Sequence, residues 1–518
     1  MRASTRRVTR RHLLRRAGAV AGLIGIGAGA YELDRALGGG SGAGPTLGTP
    51  AASSISSADG FVSTFRSRPD LRPPAMTATR HASNGGCVFL GPGSTRGVEH
   101  GPPRGGPAQG AMIVDGNGEL VWFAPLTGAM WATNVRVQEY RGEQVLTWWE
   151  GKVINPGFGQ GEGVILDRSY REVARVRAGN GRRADLHEFR LTARGTALIT
   201  CFPELVQTDL SAVGGPYDGT AIGSIIQEVD IRTGHVLLEW HGLDHIAIAE
   251  SHQPYNEPYD YLHINSIDVL PDGNLLVSAR ATWALYKLDR QTGEVIWRLG
   301  GKRSDFTLGR GARFAWQHDA EYTGDGRITL FDDGATGSVQ TEPHSRGIVL
   351  ALDQTRRSVD LARAYSHPRP LLATAMGSVQ ALPGGDVFVG WGTEHYATQF
   401  TAAGDVVDDI SMRAPELLSY RTYRYDWRAV PDQPPALAVR ARRGRHPTTL
   451  YASWNGATEA VAWRVRAGIA AHDLRTIGAV PRRGFETAIP VSGGDRWFTV
   501  AALNSAGREL ASSRRVHA

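Results

Sequence analysis

Tyr261-Leu262-His263-Ile264-Asn265-Ser266-Ile267-Asp268, the turn Pro271-Asp272-Gly273-Asn274 and Leu275-Leu276-Val277-Ser278-Ala279-Arg280 form the stretch on which the reading of this chain rests. It continues as Leu285-Tyr286-Lys287-Leu288-Asp289, a Thr292-Gly293 turn and Val295-Ile296-Trp297-Arg298-Leu299-Gly300, with Phe314-Ala315-Trp316-Gln317-His318-Asp319 beyond. Apolar residues alternate between Asp-Gly and Thr-Gly turns, the pattern of four short antiparallel strands. A four-stranded unit that recurs along a chain is the pattern of a β-propeller blade. Polar residues stand where a purely structural sheet would carry Val or Leu. His263 and Asn265 are two apart and would share a face. With Asp272-Gly273 at the hairpin tip, Asn265 is expected opposite Arg280, and His263 on the diagonal.

The unit recurs. Similar stretches run through Ala111–Phe123, Asn134–Trp149, His187–Phe202, His318–Phe331 and Val379–Trp391, which makes six units between about 85 and 412. The hairpin glycines Gly142, Gly195, Gly273, Gly326 and Gly385 align them; eight residues earlier lie Asn134, His187, Asn265, His318 and Gly377. His187, Asn265 and His318 thus share one register in successive units, with His263 beside them. In a propeller, equal registers fall on a ring about the central axis, so these side chains are expected to meet in one pocket. The expected fold is all-β: a six-bladed β-propeller over 81–430, five or seven blades being the alternative counts, and a second β domain over 436–518. After Tyr420 the repeat pattern fades. Trp454 and the closing Trp497–Gly507 stretch resemble a fibronectin type III β-sandwich.

Charge and composition narrow the function classes. The formal net charge is +6, yet seven arginines stand before residue 17 and no acid precedes Glu32, so residues 17–518 carry −1. A body without basic excess gives no case for nucleic acid. The arginines lead into an apolar run, Ala17–Ala30, and Thr9-Arg10-Arg11-His12-Leu13-Leu14-Arg15 resembles a twin-arginine export signal. Residues 1–30 are therefore expected to be a signal peptide or an uncleaved membrane anchor, 31–80 a flexible spacer, and the protein secreted or held at the cell surface. Cys87 and Cys201 are the only cysteines; one disulfide or two separate thiols are both open. Neither lies in a metal-binding pattern, and no metal or cofactor is expected. The long connection Gly242–Tyr261, with His245, His252, Tyr255 and Tyr259, suits a lid, an aromatic wall or a packing loop.

Six motifs in order resemble the arylsulfotransferase (aryl-sulfate sulfotransferase) family: Asp185-Leu186-His187-Glu188-Phe189, His263-Ile264-Asn265-Ser266, Ser278-Ala279-Arg280, Trp297-Arg298-Leu299-Gly300-Gly301, Gln317-His318-Asp319 and Phe331-Asp332-Asp333-Gly334. The resemblance covers roughly 85–412. It implies a six-bladed propeller that moves a sulfuryl group from an aryl sulfate to a phenol through a sulfohistidine, without 3′-phosphoadenylyl sulfate. It also implies His318 as nucleophile, with His263, Asn265, Arg280 and His187 around it. Family members of the enterobacterial type carry an N-terminal sandwich domain where this chain has a C-terminal one, which leaves dimer geometry and acceptor choice open.

These residue types suit that chemistry. A neutral imidazole attacks sulfur without charge repulsion. Planar Arg280 can hold two sulfate oxygens, Asn265 supplies a fixed neutral donor, and His187 and His263 can exchange a proton with phenolic oxygen. Each residue alone is more often structural; the set gains weight because register and motif select the same residues. The competing reading is a non-enzymatic exported propeller that binds a sulfated or phenolic ligand or a cell-wall glycan. A quinone-dependent dehydrogenase would need calcium ligands and an eight-bladed frame that the sequence lacks.

Overall fold

The computed structural model describes residues 45–57, 60–80, 85–94, 105–155, 157–441 and 447–518. The arginine-rich segment over 1–30 lies outside the described residues. Those described form β-strands joined by turns and three short 3-10 turns.

The stretch that opened the sequence reading folds as Ile264–Val269, Leu275–Ala279, Ala284–Leu288 and Val295–Gly300, paired antiparallel in chain order. Gly273 makes the first turn possible: its φ of 85° is a left-handed conformation that a Cβ disfavours. The alternation serves two neighbours. Leu275 and Val277 pack against Ile226 and Trp240 of the preceding unit, while Leu276 and Leu285 pack against Ile328 and Leu330 of the following one. Each sheet is thereby buried on both faces, which is why its strands are nearly free of polar outward positions.

Further four-strand antiparallel units begin at Met130–Tyr140, Ala184–Leu191, His318–Tyr322 and Ser378–Ala381. The last sheet has another origin. Leu417–Tyr425 pairs with Cys87–Ser94, Tyr425 lying opposite Cys87 and Leu417 opposite Ser94, and Gly110–Val114 and Leu120–Pro125 complete it. The fading of the repeat after Tyr420 has this cause: the strand is completed by chain from the N-terminal side, so no turn motif follows it. The six leading strands contact one another in sequence, and Leu417–Tyr425 contacts Met130–Tyr140 to complete the cycle.

Where leading strands converge, a buried ionic network joins them. Arg421 is fully buried; its Nη1 lies 3.2 Å from both Glu188 and Asp319, and its Nη2 donates to the Asn265 carbonyl at 2.5 Å. Arg136 meets Glu188 at 2.5 Å, and Arg190 meets Asp268 at 2.9 Å and Glu321 at 2.5 Å. Burial pushes the Glu188 carboxyl up, but Arg421 and Arg136 overcome it and hold the group at about 2. Asp319 is the fourth carboxylate among three guanidinium groups, and burial raises it to about 7.

Residues 45–80, expected as spacer, depart from that reading. Ala51–Ala52 adds to a sheet of the C-terminal domain, Ile55–Ser56 pairs with Ser63–Thr64, and Met76–Arg80 forms the outer edge of the unit that starts at Ser378. The Ser67 hydroxyl and N–H, each at 2.6 Å, bind the buried Glu486 carboxylate. Hydrogen-bonding backbone thus outweighs the Gly, Ser, Ala and Pro composition that suggested flexibility. The C-terminal chain forms two sheets: Ala436–Arg440, Thr448–Ser453 and Glu486–Val491 in one, Arg475–Pro481, Ala462–Gly468, Trp497–Leu503 and Glu509–Ser512 in the other. Trp454 and Trp463 fill the space between them. Asn455 ties this domain to the main body by bonding both the N–H and the carbonyl of Phe123, at 2.9 and 3.0 Å.

Removing Arg421 leaves buried carboxylates without their cation. Arg421→Met should lower unfolding free energy by about 3–5 kcal/mol in denaturant titration. Arg171→Met at an exposed pair with Asp167 should cost less than about 1 kcal/mol. Equal small losses would show that the network does not join the strands.

Candidate active site

Five of the six leading strands share an irregularity that Ser378–Ala381 lacks. The ladder shifts between Thr133 and Arg136, Ala184 and Phe189, Ile264 and Ser266, His318 and Glu321, and Ser419 and Thr422. Such bulges release residues from strand pairing and re-aim their side chains. They overturn one expectation. Ile264, not Asn265, begins the pairing, opposite Ala279, and the Arg280 N–H binds the His263 carbonyl at 3.0 Å. Asn265 is the bulged residue, and its carbonyl turns away from the ladder to Arg421. Backbone strain collects here too: Asn134, His263, Trp283, Trp316, Asp319 and Met376 are six of the ten described non-glycine residues with positive φ.

His318 is 2% exposed. Its Nδ1 lies 2.8 Å from Asp333 Oδ2, and its Nε2 accepts the Met376 N–H at 3.2 Å. An acceptor at Nε2 places the ring proton on Nδ1, where it is donated to Asp333 Oδ2; burial pushes the Asp333 carboxyl well above the usual carboxylate range, against the pull of Arg280. Burial lowers the proton affinity of His318 well below the usual histidine range, and the positive charge of Arg280 lowers it further. The ring is therefore neutral, with its lone pair on Nε2.

Arg280 follows the strand Leu275–Ala279. One Nη2–H donates to the Thr374 carbonyl at 2.8 Å, and the guanidinium carbon lies 5.1 Å from the centre of the Trp316 ring. Its Nε is buried with no partner among the described residues, and no carboxylate there pairs with it. Burial pushes its proton affinity down, against the pull of Asp333 and Asp260. A largely desolvated cation short of a carboxylate favours an anion beside it.

His187 and His263 meet directly, Nε2 to Nε2 at 3.1 Å. Each ring is backed on Nδ1 by a carboxylate: His187 by Asp185 and His263 by Asp260 at 2.5 Å. Burial lowers the proton affinity of His187, while Asp185 opposes the shift. Phe158 packs on both rings, at 5.7 and 5.0 Å between centroids. Tyr420 stands between His187 and His318, 5.7 and 6.3 Å from them. Asn265 Nδ2 donates to the Gln317 carbonyl at 2.7 Å, beside His318, and its Oδ1 is buried without a partner among the described residues. His187, His263, Asn265, Arg280 and His318 are thus brought into one buried neighbourhood.

Asp185, Asp260, Met376 and Tyr420 were not singled out as site residues by sequence reasoning. Two signals were present: Asp185 stands two residues before His187, and Gly377 shares the register of His187, Asn265 and His318, so its neighbour Met376 reaches His318. Asp260 comes from the long connection Gly242–Tyr261, whose place over the site no local pattern reveals. Among the described residues no group of three His, Cys, Asp or Glu side chains could hold a metal ion. Cys87 and Cys201 are separate thiols.

Residues 136–413 match the sequence model of the family described as Arylsulfotransferase (ASST). No curated protein matches the chain. Among solved structures, a protein of unknown function from Bacteroides caccae is 14% identical with a TM-score of 0.40, over 66% of this chain and 99% of that one. A protein from Lactobacillus plantarum is 11% identical with a TM-score of 0.33, over 79% of this chain and 100% of that one. Virginiamycin B lyase from Staphylococcus aureus is 9% identical with a TM-score of 0.32, over 80% and 98%. At such TM-scores none of these likenesses bears on what the chain does.

The lowered proton affinity of His318 gives a signed pH dependence. Below about pH 6.5, the range of an unfolded histidine, the unfolded chain takes up the proton first. The stability contribution is present above that pH and is lost as pH falls. Between pH 7.5 and 5.0, wild type should lose more unfolding free energy than His318→Gln; equal losses would mean that the folded ring titrates like a free histidine.

Proposed function

The chain belongs to the arylsulfotransferase family, and on that premise we propose that it moves a sulfuryl group from an aryl sulfate to a phenolic acceptor through a sulfated His318. The carrier is the protein's own imidazole, so no 3′-phosphoadenylyl sulfate is needed. The observation that carries this reading is a neutral, buried His318, held by Asp333 through Nδ1, beside a guanidinium with no carboxylate partner.

Each half of the reaction follows from the charges. The donor's sulfate is drawn to Arg280, whose second edge is free to chelate oxygen. His318 Nε2 releases the Met376 N–H and attacks sulfur; the N–S bond forms as the S–O bond to the aryl group breaks. The Met376 N–H and the Asn265 amide are then placed to donate to sulfuryl oxygens. Proton exchange with the phenolic oxygen falls to His263 and His187. A phenol entering after the first product leaves reverses the sequence and frees His318, which is ping-pong turnover. Burial of the site keeps water from hydrolysing the intermediate.

The frame is read as a six-bladed propeller with a fibronectin type III-like domain after it. The cycle of leading strands and the joint sheet of Leu417–Tyr425 with Cys87–Ser94 support the first, and the two facing sheets around Trp454 and Trp463 the second. We place the protein outside the cytoplasm by the twin-arginine route, on the strength of its N-terminal sequence.

Purified protein with 4-nitrophenyl sulfate and phenol should release nitrophenolate, and His318→Ala should abolish it. Intact mass after quenching with donor alone should show one added sulfuryl group, absent in His318→Ala; a mutant that remains active and labelled would overturn the assignment. Arg280→Met should lower kcat about 10²–10³-fold, with Arg280→Lys recovering part of the loss.

A further inference from the structure

Asp260, His263, His187 and Asp185 stand in file, joined by three successive hydrogen bonds. Asp260 Oδ2 meets His263 Nδ1 at 2.5 Å, the two Nε2 atoms meet at 3.1 Å, and His187 Nδ1 meets Asp185 Oδ2. Each contact requires one proton between its heavy atoms. Two neutral imidazoles bring two protons, so the file holds a third. With two carboxylates it then carries a net charge of −1. One proton fewer than this would set two lone pairs, or a lone pair and a carboxylate, face to face; one more would set two N–H groups head-on.

Asp185 has other duties. It accepts the Gly159 N–H at 2.7 Å and the Thr200 hydroxyl at 3.3 Å. Asp260 does not. Among the described residues its carboxylate has one hydrogen-bond partner, His263, and its Oδ1 is buried without one. A carboxylate committed to one imidazole, delivered by the connection Gly242–Tyr261 and not by a leading strand, has no evident role in holding the ring of sheets. Gly157 leaves room for the edge of the His263 ring: a Cβ there would lie 3.1 Å from its Cε1.

We propose that Asp260 and Asp185 are positioning residues that keep one transferable proton between His263 and His187, and that this shared proton is the one exchanged with the phenolic oxygen. The inference rests on the sulfuryl-transfer reading above. In the donor half, the S–O electron pair goes to the phenolic oxygen, which takes the shared proton; the file falls to two protons and −2. In the acceptor half, the phenolic oxygen attacks sulfur, its proton returns to the file, and the N–S electron pair returns to His318 Nε2. Nothing else is consumed. The other titratable or charged groups around the pair are Tyr420, His318 and Arg280, and the cation of Arg280 favours the depleted file.

A proton matters most to the poorer leaving group. Asp260→Asn should lower transfer from phenyl sulfate by about 10²-fold or more while 4-nitrophenyl sulfate loses less than about 10-fold. The alkaline limb of the wild-type pH–kcat profile with phenyl sulfate should shift or flatten in Asp260→Asn and return in Asp260→Glu. Equal losses on both donors with an unchanged pH profile would overturn the proposal and leave the transfer reading intact. Wild-type protein inactive on both donors would overturn both. Independently of any variant, ¹⁵N shifts of His187 and His263 in wild type near neutral pH should average one protonated and one neutral ring; two fully neutral rings would overturn the shared proton.

Discussion

Arg421 holds this molecule together where its sheets converge. The leading strands meet without ordinary ladders between them, and five of the six are interrupted by a bulge at the level of the site. The interruption leaves backbone and side-chain polar groups buried and unpaired, a state that costs more than the missing bonds would have contributed. One guanidinium on the closing strand answers three of them, on Ala184–Leu191, Ile264–Val269 and His318–Tyr322. Its planar, always-charged fork suits the task in a way that lysine does not. With Arg136 it holds the Glu188 carboxylate ionised against burial.

The site sits directly against that network and inherits its logic. Polar side chains survive in a buried place because each has a specified partner: Asp333 for His318, Asp260 for His263, Asp185 for His187. The exception is Arg280, which has one carbonyl and an aromatic face where a buried cation would ordinarily have a carboxylate. In a low-dielectric setting that deficit is a strong preference for an anion, and it lies beside an imidazole that burial keeps uncharged.

Much of the architecture was legible in the sequence because hairpin glycines recur at the same distance from the inward-facing residues. Gly195, Gly273 and Gly326 are left-handed, as the turns require, and the residues eight positions earlier lie on neighbouring leading strands. Side-chain pairing was less legible. Counting back from Gly273 set Asn265 against Arg280; the hairpin register and the bulge, which depends on contacts from other strands, together put His263 there, two residues away. Asp260 and Arg421 were out of reach for a related reason. Arg421 acts across a large sequence separation, Asp260 stands three residues before His263 in a connection outside the repeat, and neither lies in a repeated pattern. Residues 45–80 misled through composition: Ser and Pro suggest freedom, but Ser67 is bound to a carboxylate more than four hundred positions away.

The joint between Leu417–Tyr425 and Cys87–Ser94 makes folding of the main body a late event in synthesis. A ribosome must finish residue 425 before the sheet begun at residue 87 receives its innermost strand. Until then the nascent chain presents an open arc with an unpaired strand at each end, an invitation to aggregate or to pair with a neighbour. Such long-range closure is slow relative to local hairpin formation. A chaperone that masks the arc during elongation would therefore govern yield more than any single side chain in the core.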